Sequence, residues 1–152
     1  MADLTIGHLP FVGAGEFDTS YTPIDFDDGH YHVKCVVNYG SFDVKGQYRE
    51  GGILWVVTDT ETKSEVCLVG QEGDARLMLF VEDGDTDASA SVEYSLAEEA
   101  FAHVIKGEMF RQLRARLADV ADVGKWQSLL HAAFKHIDME ATLEGLGYRR
   151  QD

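Results

Sequence analysis

Apolar and polar residues alternate with a period of two in several short segments between residues 30 and 82. Because successive side chains of a strand point to opposite faces of its sheet, this period predicts half-buried strands. The segment 53–57 is apolar at every position, which predicts a central strand that is covered on both faces. The predicted strands cover residues 30–39, 42–49, 53–57, 64–70 and 75–82.

The connections between these strands are short and polar, with glycine in several of them. A parallel crossover needs about a dozen residues or more, so strands joined by such short segments must pair antiparallel. The pattern therefore predicts a β-meander. Before residue 30 the pattern is weaker, and it indicates one short strand near residues 3–7 and another near 17–22.

The apolar period changes to that of an α-helix after residue 94. Ser95 and Glu98 have the spacing of a capping box, in which the serine oxygen accepts from the third helical amide and the glutamate bonds back to the cap. Apolar residues three and four apart follow, which predicts a helix from 96 to about 120. Gly107 lies inside this helix, where glycine is less favourable than alanine.

Two further helices are expected towards the C-terminus. Val123-Gly124 separates the first of them from the preceding helix, and its apolar stripe runs from Trp126 to Ile137. Asp138 then caps a short third helix that is ended by Gly145 and Gly147. Strands first and helices afterwards predict an α+β fold. We expect a single domain over the whole chain, with an antiparallel meander of five to six strands and two to three C-terminal helices packed on one of its faces.

The chain carries a formal net charge of -14, and its two halves contribute unequally. Residues 1–94 contain 18 acidic and 5 basic residues, whereas residues 95–152 contain 9 and 8. Such an excess either keeps the protein soluble or forms a surface for a cationic partner. It argues against direct binding to nucleic acid or to an anionic membrane, because both require a basic face.

No catalytic motif accompanies this charge. The chain has no Gly-x-Ser-x-Gly elbow and no phosphate-binding loop, and its two cysteines, Cys35 and Cys67, lie in strand-like runs. They are expected to be buried thiols in a reducing compartment, with a disulfide between adjacent strands as the alternative. The chain shows neither a secretory signal nor an apolar run of membrane-spanning length. We therefore predict a cytoplasmic protein without a cofactor, and we lean against an enzyme.

A histidine pair is the main candidate for metal binding. His30 and His32 are two residues apart on a predicted strand, so their imidazoles would lie on the same face, and Asp27 and Asp28 precede them. Imidazoles and carboxylates together hold divalent metals, but a third ligand must then come from elsewhere in the fold. In the alternative interpretation, both histidines lie on the polar face of an exposed strand.

Three carboxylates alternate along a predicted loop, at Asp83, Asp85 and Asp87, as they do in calcium-binding loops. An EF-hand loop would need glycine at its sixth position and glutamate at its twelfth, where this chain has Ala88 and Tyr94. The loop is therefore interpreted as a solvated acidic turn.

The basic residues are concentrated on the predicted helix over 96–120. Lys106, Arg111, Arg114 and Arg116 lie there, with acidic neighbours that favour an exposed face laced with salt bridges. The other hypothesis is a site for an acidic surface, including the sheet half of a second copy of the chain. A homodimer is therefore a further hypothesis.

These observations favour a small acidic binding protein over an enzyme. Its partner would be a basic protein surface, such as that of a nucleic-acid-processing complex, and a phage or mobile-element inhibitor of such a complex fits this size and charge. The predicted partner-binding residues combine carboxylates with aromatic anchors. They are Asp25, Asp27, Asp28, Tyr31, Tyr48, Asp83, Asp85 and Asp87. The alternatives are a metal-dependent enzyme or metal-binding domain that uses His30 and His32, and a structural or accessory subunit.

Overall fold

The computed structural model describes the chain in separate stretches. These are residues 20–38, 41–42, 44–49, 51–71, 76–84, 87–96, 101–119 and 123–148. The strand predicted near residues 3–7 lies outside them, as does the beginning of the strand predicted near 17–22.

A meander of antiparallel strands forms the larger sheet, as predicted. In chain order the strands are β1 (Ser20–Asp27), β2 (Tyr31–Asn38), β3 (Ser41–Phe42), β4 (Tyr48–Arg49), β5 (Gly52–Asp59), β6 (Ser64–Gln71), β7 (Arg76–Asp83) and β8 (Ala88–Ser95). Six of them form one sheet in the order β1-β2-β5-β6-β7-β8, and β3 pairs with β4 in a separate ladder. Neighbours in the large sheet are thus neighbours in sequence, apart from the β3–β4 excursion between β2 and β5.

The β3–β4 excursion corrects the prediction of one strand over 42–49. The apolar residue in the middle of that segment, Val44, is 64% exposed in the connection between β3 and β4. Gly46 in the same connection has a φ of 82°, a left-handed conformation that suits a turn. The period-two pattern over 42–49 therefore spans two short strands and the hairpin turn between them, and it does not mark one continuous strand.

The strand β8 and the start of the first helix also differ from the prediction. Ser95 pairs with Arg76 in the β7–β8 ladder, so it is a strand residue and not a helix cap. The helix α1 spans Ala102–Leu117, and Phe101 stands at its N-cap position without a side-chain hydrogen bond. Glu98 lies outside the described residues. The serine-rich and alanine-rich segment 88–95 alternates only weakly, and the capping-box spacing falls at its end by coincidence.

Three helices pack against one face of the large sheet, as expected. They are α1, α2 (Val123–His136) and α3 (Met139–Gly145). Between them and the sheet, one row of buried side chains crosses five neighbouring strands. That row consists of Cys35, Trp55, Leu68, Leu79 and Val92. The helices contribute buried residues to the same core, among them Ile105, Met109, Leu113, Leu117, Trp126, Leu129, Leu130 and Leu143.

The buried indole of Trp55 links the centre of the sheet to α3. Trp55 is 3% exposed, and its Nε1 donates a hydrogen bond to Thr142 Oγ1 at 2.6 Å. The Thr142 hydroxyl in turn donates to the carbonyl of Asp138 at 2.7 Å. Asp138 caps α3 as predicted, because its side chain accepts from the amide of Ala141.

The turn between β1 and β2 is held by its own carboxylates. Asp27 Oδ1 accepts from the amide of Gly29, whose φ is 97°, and Asp28 Oδ1 accepts from the amides of His30 and Tyr31 at 2.9 and 2.7 Å. These two bonds, the one from Tyr31 first, lower the pKa of the Asp28 carboxyl from its ordinary value of 3.8.

None of the helices in the described part of the chain is both long enough and apolar enough to cross a lipid bilayer.

Replacing Trp55 with Ala is expected to lower the free energy of unfolding by about 3–5 kcal/mol, because a large buried side chain is lost from the core. Denaturant melts measure this change. Val104, which is 49% exposed on α1, offers a control, and Val104→Ala should change stability by less than about 0.5 kcal/mol. A loss below about 1 kcal/mol for Trp55→Ala would contradict the central place of this indole in the core.

Replacing Asp28 with Ala is expected to lower the free energy of unfolding at pH 7, since the two turn amides lose their acceptor. The pKa of Asp28 is lower in the folded protein than in the unfolded chain. Asp28 therefore stabilises the protein fully at pH values above its pKa in the unfolded chain. This stabilisation disappears as the pH falls through its pKa in the folded protein. Denaturant melts at a series of pH values should show that the difference in free energy of unfolding between wild type and Asp28→Ala narrows over that range. Asp119→Ala, at an exposed position, serves as the control, and a gap that stays constant down to low pH would contradict this role.

Candidate functional site

The face of the sheet that points away from the helices, here called the open face, carries apolar side chains, carboxylates and the basic residues His32 and Lys34. Val56, Cys67 and Phe80 lie beside each other on β5, β6 and β7, and Phe80 is 38% exposed. The apolar segment 53–57 is fully buried on its helix side, but Leu54 and Val56 on the open face are only half-buried, where burial of both faces was expected. The open face is not uniform, since Val36 on the same side of β2 is fully buried.

Two glutamates face each other at one end of this apolar surface. Glu65 on β6 lies directly opposite Glu82 on β7 in the strand register. Like charges in this arrangement repel each other and destabilise the sheet. Glu65 accepts a hydrogen bond from Thr58 Oγ1 at 3.2 Å, but no Lys, Arg or His within the described stretches forms an ion pair with either glutamate.

The two cysteines are free thiols on opposite faces of the sheet. Burial raises the pKa of Cys35 to about 12. The pKa of Cys67 also rises to about 12, because of burial first and then the charge and hydrogen bond of Glu65. Both thiols therefore stay protonated at neutral pH, which makes them poor nucleophiles and poor metal ligands.

His30 and His32 contact different groups. His32 Nε2 lies 2.6 Å from Asp25 Oδ1, and this hydrogen bond is the main reason that the pKa of Asp25 is lowered. His30 precedes β2 and belongs to the turn, where its Nε2 lies 3.2 Å from Asp59 Oδ1 and 3.1 Å from Glu61 Oε2. The ligand atoms of His30, Asp59 and Glu61 lie within 4.8 Å of one another.

The His30 cluster is held in place by its backbone. The carbonyl of His30 accepts from the amide of Thr60 at 2.9 Å and from its hydroxyl at 2.8 Å. The His30 ring stacks on Tyr31 at a centroid distance of 4.1 Å. Asp59 is 6% exposed, and its Oδ1 also accepts from the amide of Glu61. Sequence reasoning missed Asp59 and Glu61, although both lie in the short polar connection predicted between the strands over 53–57 and 64–70.

The acidic loop after β7 divides into residues with different surroundings. Asp83 is 1% exposed; its Oδ1 accepts from Ser64 Oγ at 3.1 Å and lies 3.2 Å from Lys125 Nζ. The structure therefore places Asp83 inside the protein, where a partner cannot reach it. Asp87 is exposed with a φ of 57°, and Asp85 lies outside the described residues.

A groove of about 890 Å³, here called the helix groove, lies between α1, α2 and the β1–β2 turn. Asp28 and Tyr31, both predicted partner-binding residues, line it, so they do not share a surface with Asp25 on the open face. Of the basic residues predicted on the first helix, Lys106 lines the groove, and Arg111 forms a salt bridge with Glu108.

The remaining arginines of α1 also have partners. Arg114 lies over the ring of Phe110 at 5.9 Å, and Arg116 donates to the carbonyl of Ser91 at the β8 edge. Tyr48 belongs to β4, and its side chain lies outside the described part of the structure.

Three separate features thus carry chemistry: the open face, the His30 cluster and the helix groove. The open face offers carboxylates and an exposed aromatic ring, and the His30 cluster offers one imidazole and two carboxylates. The helix groove offers an apolar, basic-lined concavity. Comparison with protein-family models, with curated proteins and with solved structures gave no match.

Proposed function

We propose that this protein is a non-enzymatic binding protein and that its open face engages a basic segment of a partner protein. The observation that carries the proposal is the Glu65–Glu82 pair beside the exposed ring of Phe80. Like charges at directly opposed positions of neighbouring strands repel each other, and a lysine or arginine placed between Glu65 and Glu82 would relieve that repulsion. An apolar residue of the same segment would then contact Phe80 and Val56.

Charge and apolar contact have separate roles in this proposal. The net charge of -14 attracts a basic partner over long range and speeds encounter, whereas the aromatic and aliphatic contacts supply most of the affinity. Asp25 on the same face and the exposed Asp87 add to the acidic field. Asp83 and Asp28 have no part in it, since the first is buried and the second holds the β1–β2 turn.

The proposal extends to a biological class by analogy alone. Proteins that block nucleic-acid-processing complexes often present carboxylates where phosphates would lie, and a small acidic phage or mobile-element inhibitor acting in the cytoplasm belongs to that class. The partner would then be a basic, nucleic-acid-binding surface.

A second candidate function is divalent-metal binding at the His30 cluster. Its support is the convergence of His30 Nε2, Asp59 Oδ1 and Glu61 Oε2, which offers one nitrogen and two oxygen ligands and leaves positions for water. The backbone bonds of His30 and Asp59 would orient these ligands before a metal arrives. This set replaces the pair of His30 and His32 as the proposed ligands.

Replacing both Glu65 and Glu82 with Gln is expected to raise the free energy of unfolding by about 0.2–1 kcal/mol, because the cross-strand repulsion is removed. The same double variant should bind a basic partner at least about ten-fold more weakly. A labelled peptide of arginines and leucines is a suitable probe, with fluorescence anisotropy measured at ionic strengths of about 0.01 and 0.15 M.

The matched control replaces Glu140 and Glu144 with Gln, because these exposed residues of α3 carry the same charge and lie away from the open face. If the control weakens binding as much as the Glu65/Glu82 variant does, net charge alone attracts the peptide and the proposed site is wrong.

For the metal candidate, Zn²⁺ or Mn²⁺ is expected to raise the melting temperature of the wild type, and EDTA should reverse the rise. His30→Ala and Glu61→Gln should each abolish the effect, because each removes one of three ligands. His32→Ala should leave it intact, since His32 bonds to Asp25. If His32→Ala also abolishes the metal-induced rise in melting temperature, the histidine pair is favoured over the His30 cluster. A wild-type melting temperature that neither metal changes would rule out this candidate.

A further inference from the structure

The helix groove has the size and the apolar lining of a small-molecule site. Its volume of about 890 Å³ lies within the range of such sites in proteins. The half-buried ring of Phe110 lies 5.3 Å from that of Phe134, which is 6% exposed and offers the groove only its edge, and Tyr31 lies at the β1–β2 end. The groove thus offers aromatic surface to an apolar body.

The electrostatic character of the groove is opposite to that of the chain as a whole. Lys106 and Lys135 line it together with three histidines, at positions 103, 131 and 136. Among its lining residues only Asp28 is acidic, and the Oδ1 atom of that carboxylate already accepts two turn amides. A chain with a net charge of -14 therefore presents a locally basic concavity.

The ammonium group of Lys106 is fixed within the groove. Its Nζ donates to the carbonyl of Phe134 at 2.6 Å and lies 5.7 Å from the centroid of the Phe134 ring. An ammonium group has three N–H donors, so this contact leaves two that can bind an anionic group. The Lys106 ammonium group therefore lies beside an aromatic ring. An amphipathic anion could place its charged group on the ammonium and its apolar part on the aromatic surface.

Gly107 provides an independent observation in favour of a ligand. It lies in the middle of α1 and lines the groove, and a Cβ atom added there would meet no atom within 4 Å. Glycine is unfavourable inside a helix, and neither close packing nor a left-handed backbone requires it here. The absent side chain instead leaves this side of the groove open.

We propose that the helix groove binds a small amphipathic carboxylate, with its apolar chain against Phe110 and Phe134 and its carboxylate at Lys106 and Lys135. This site is distinct from the open face and does not depend on the function proposed for it. The carboxylate would accept hydrogen bonds from the two ammonium groups, and the neighbouring imidazoles would add further donors.

Calorimetric titration with decanoate tests the proposal, with decyltrimethylammonium as the matched ligand of opposite charge and both kept below their micellar concentrations. Nonspecific attraction to an acidic protein would favour the cation, so a preference for the anion must arise locally. We expect decanoate to bind at least about ten-fold more tightly than decyltrimethylammonium. Equal binding, or tighter binding of the cation, would overturn the proposal.

Two pairs of variants locate the binding. Lys106→Gln with Lys135→Gln should weaken decanoate binding by about ten-fold or more, whereas Lys34→Gln with Lys63→Gln, which removes the same charge elsewhere, should change it less than about two-fold. Gly107→Phe should fill the groove and abolish binding, whereas Gly107→Ala should retain it. Circular dichroism checks that α1 stays helical in both Gly107 variants.

Other results would identify a different occupant. Unchanged decanoate binding in a folded Gly107→Phe variant would mean that the ligand lies elsewhere, and the proposal would be wrong. A groove that binds an aspartate-rich peptide but no decanoate would also overturn it, in favour of an acidic protein partner.

Discussion

The whole molecule depends on the burial of one face of a six-stranded sheet beneath three helices. Apolar burial is the main favourable term in folding, and here it acts on alternate residues of each strand. The row from Cys35 to Val92 joins five strands into one core, and the bond from Trp55 to Thr142 fixes α3 on top of it. The residues that alternate with those of the row along each strand lie on the open face, where they are available for other roles.

The order of the strands could be predicted because it follows from local features. Alternation marks each strand, and short connections allow only antiparallel neighbours. Two errors came from patterns that also occur by coincidence, and a third came from a strand whose pattern is weak. A hairpin preserved the alternation across Gly46, a serine-rich strand over 88–95 had little apolar contrast, and the spacing of Ser95 and Glu98 resembled a capping box. In each case the pairing between strands decides whether the segment is a strand, a turn or a helix start, and the local sequence pattern does not contain that pairing.

The candidate sites were less predictable, because they depend on register and on contacts far apart in sequence. Glu65 and Glu82 face each other only because of the β6–β7 register. His30 meets Asp59 because β2 pairs with β5, and Asp83 is buried because α2 places Lys125 above it. Sequence reasoning recognised the acidic character of the chain, but it could not separate carboxylates that hold turns from carboxylates that remain available to a partner.

The contact between Asp83 and Lys125 has an evolutionary consequence. The carboxylate is almost fully buried and the ammonium group is only 20% exposed, so a substitution of either residue alone would break an ion pair inside the protein, which is costly. The two positions should therefore change together over the history of the protein, through a joint exchange to apolar residues or not at all. Coupled substitution at positions 83 and 125 would be the expected signature in homologous chains, whereas the exposed Asp87 of the same loop should drift independently.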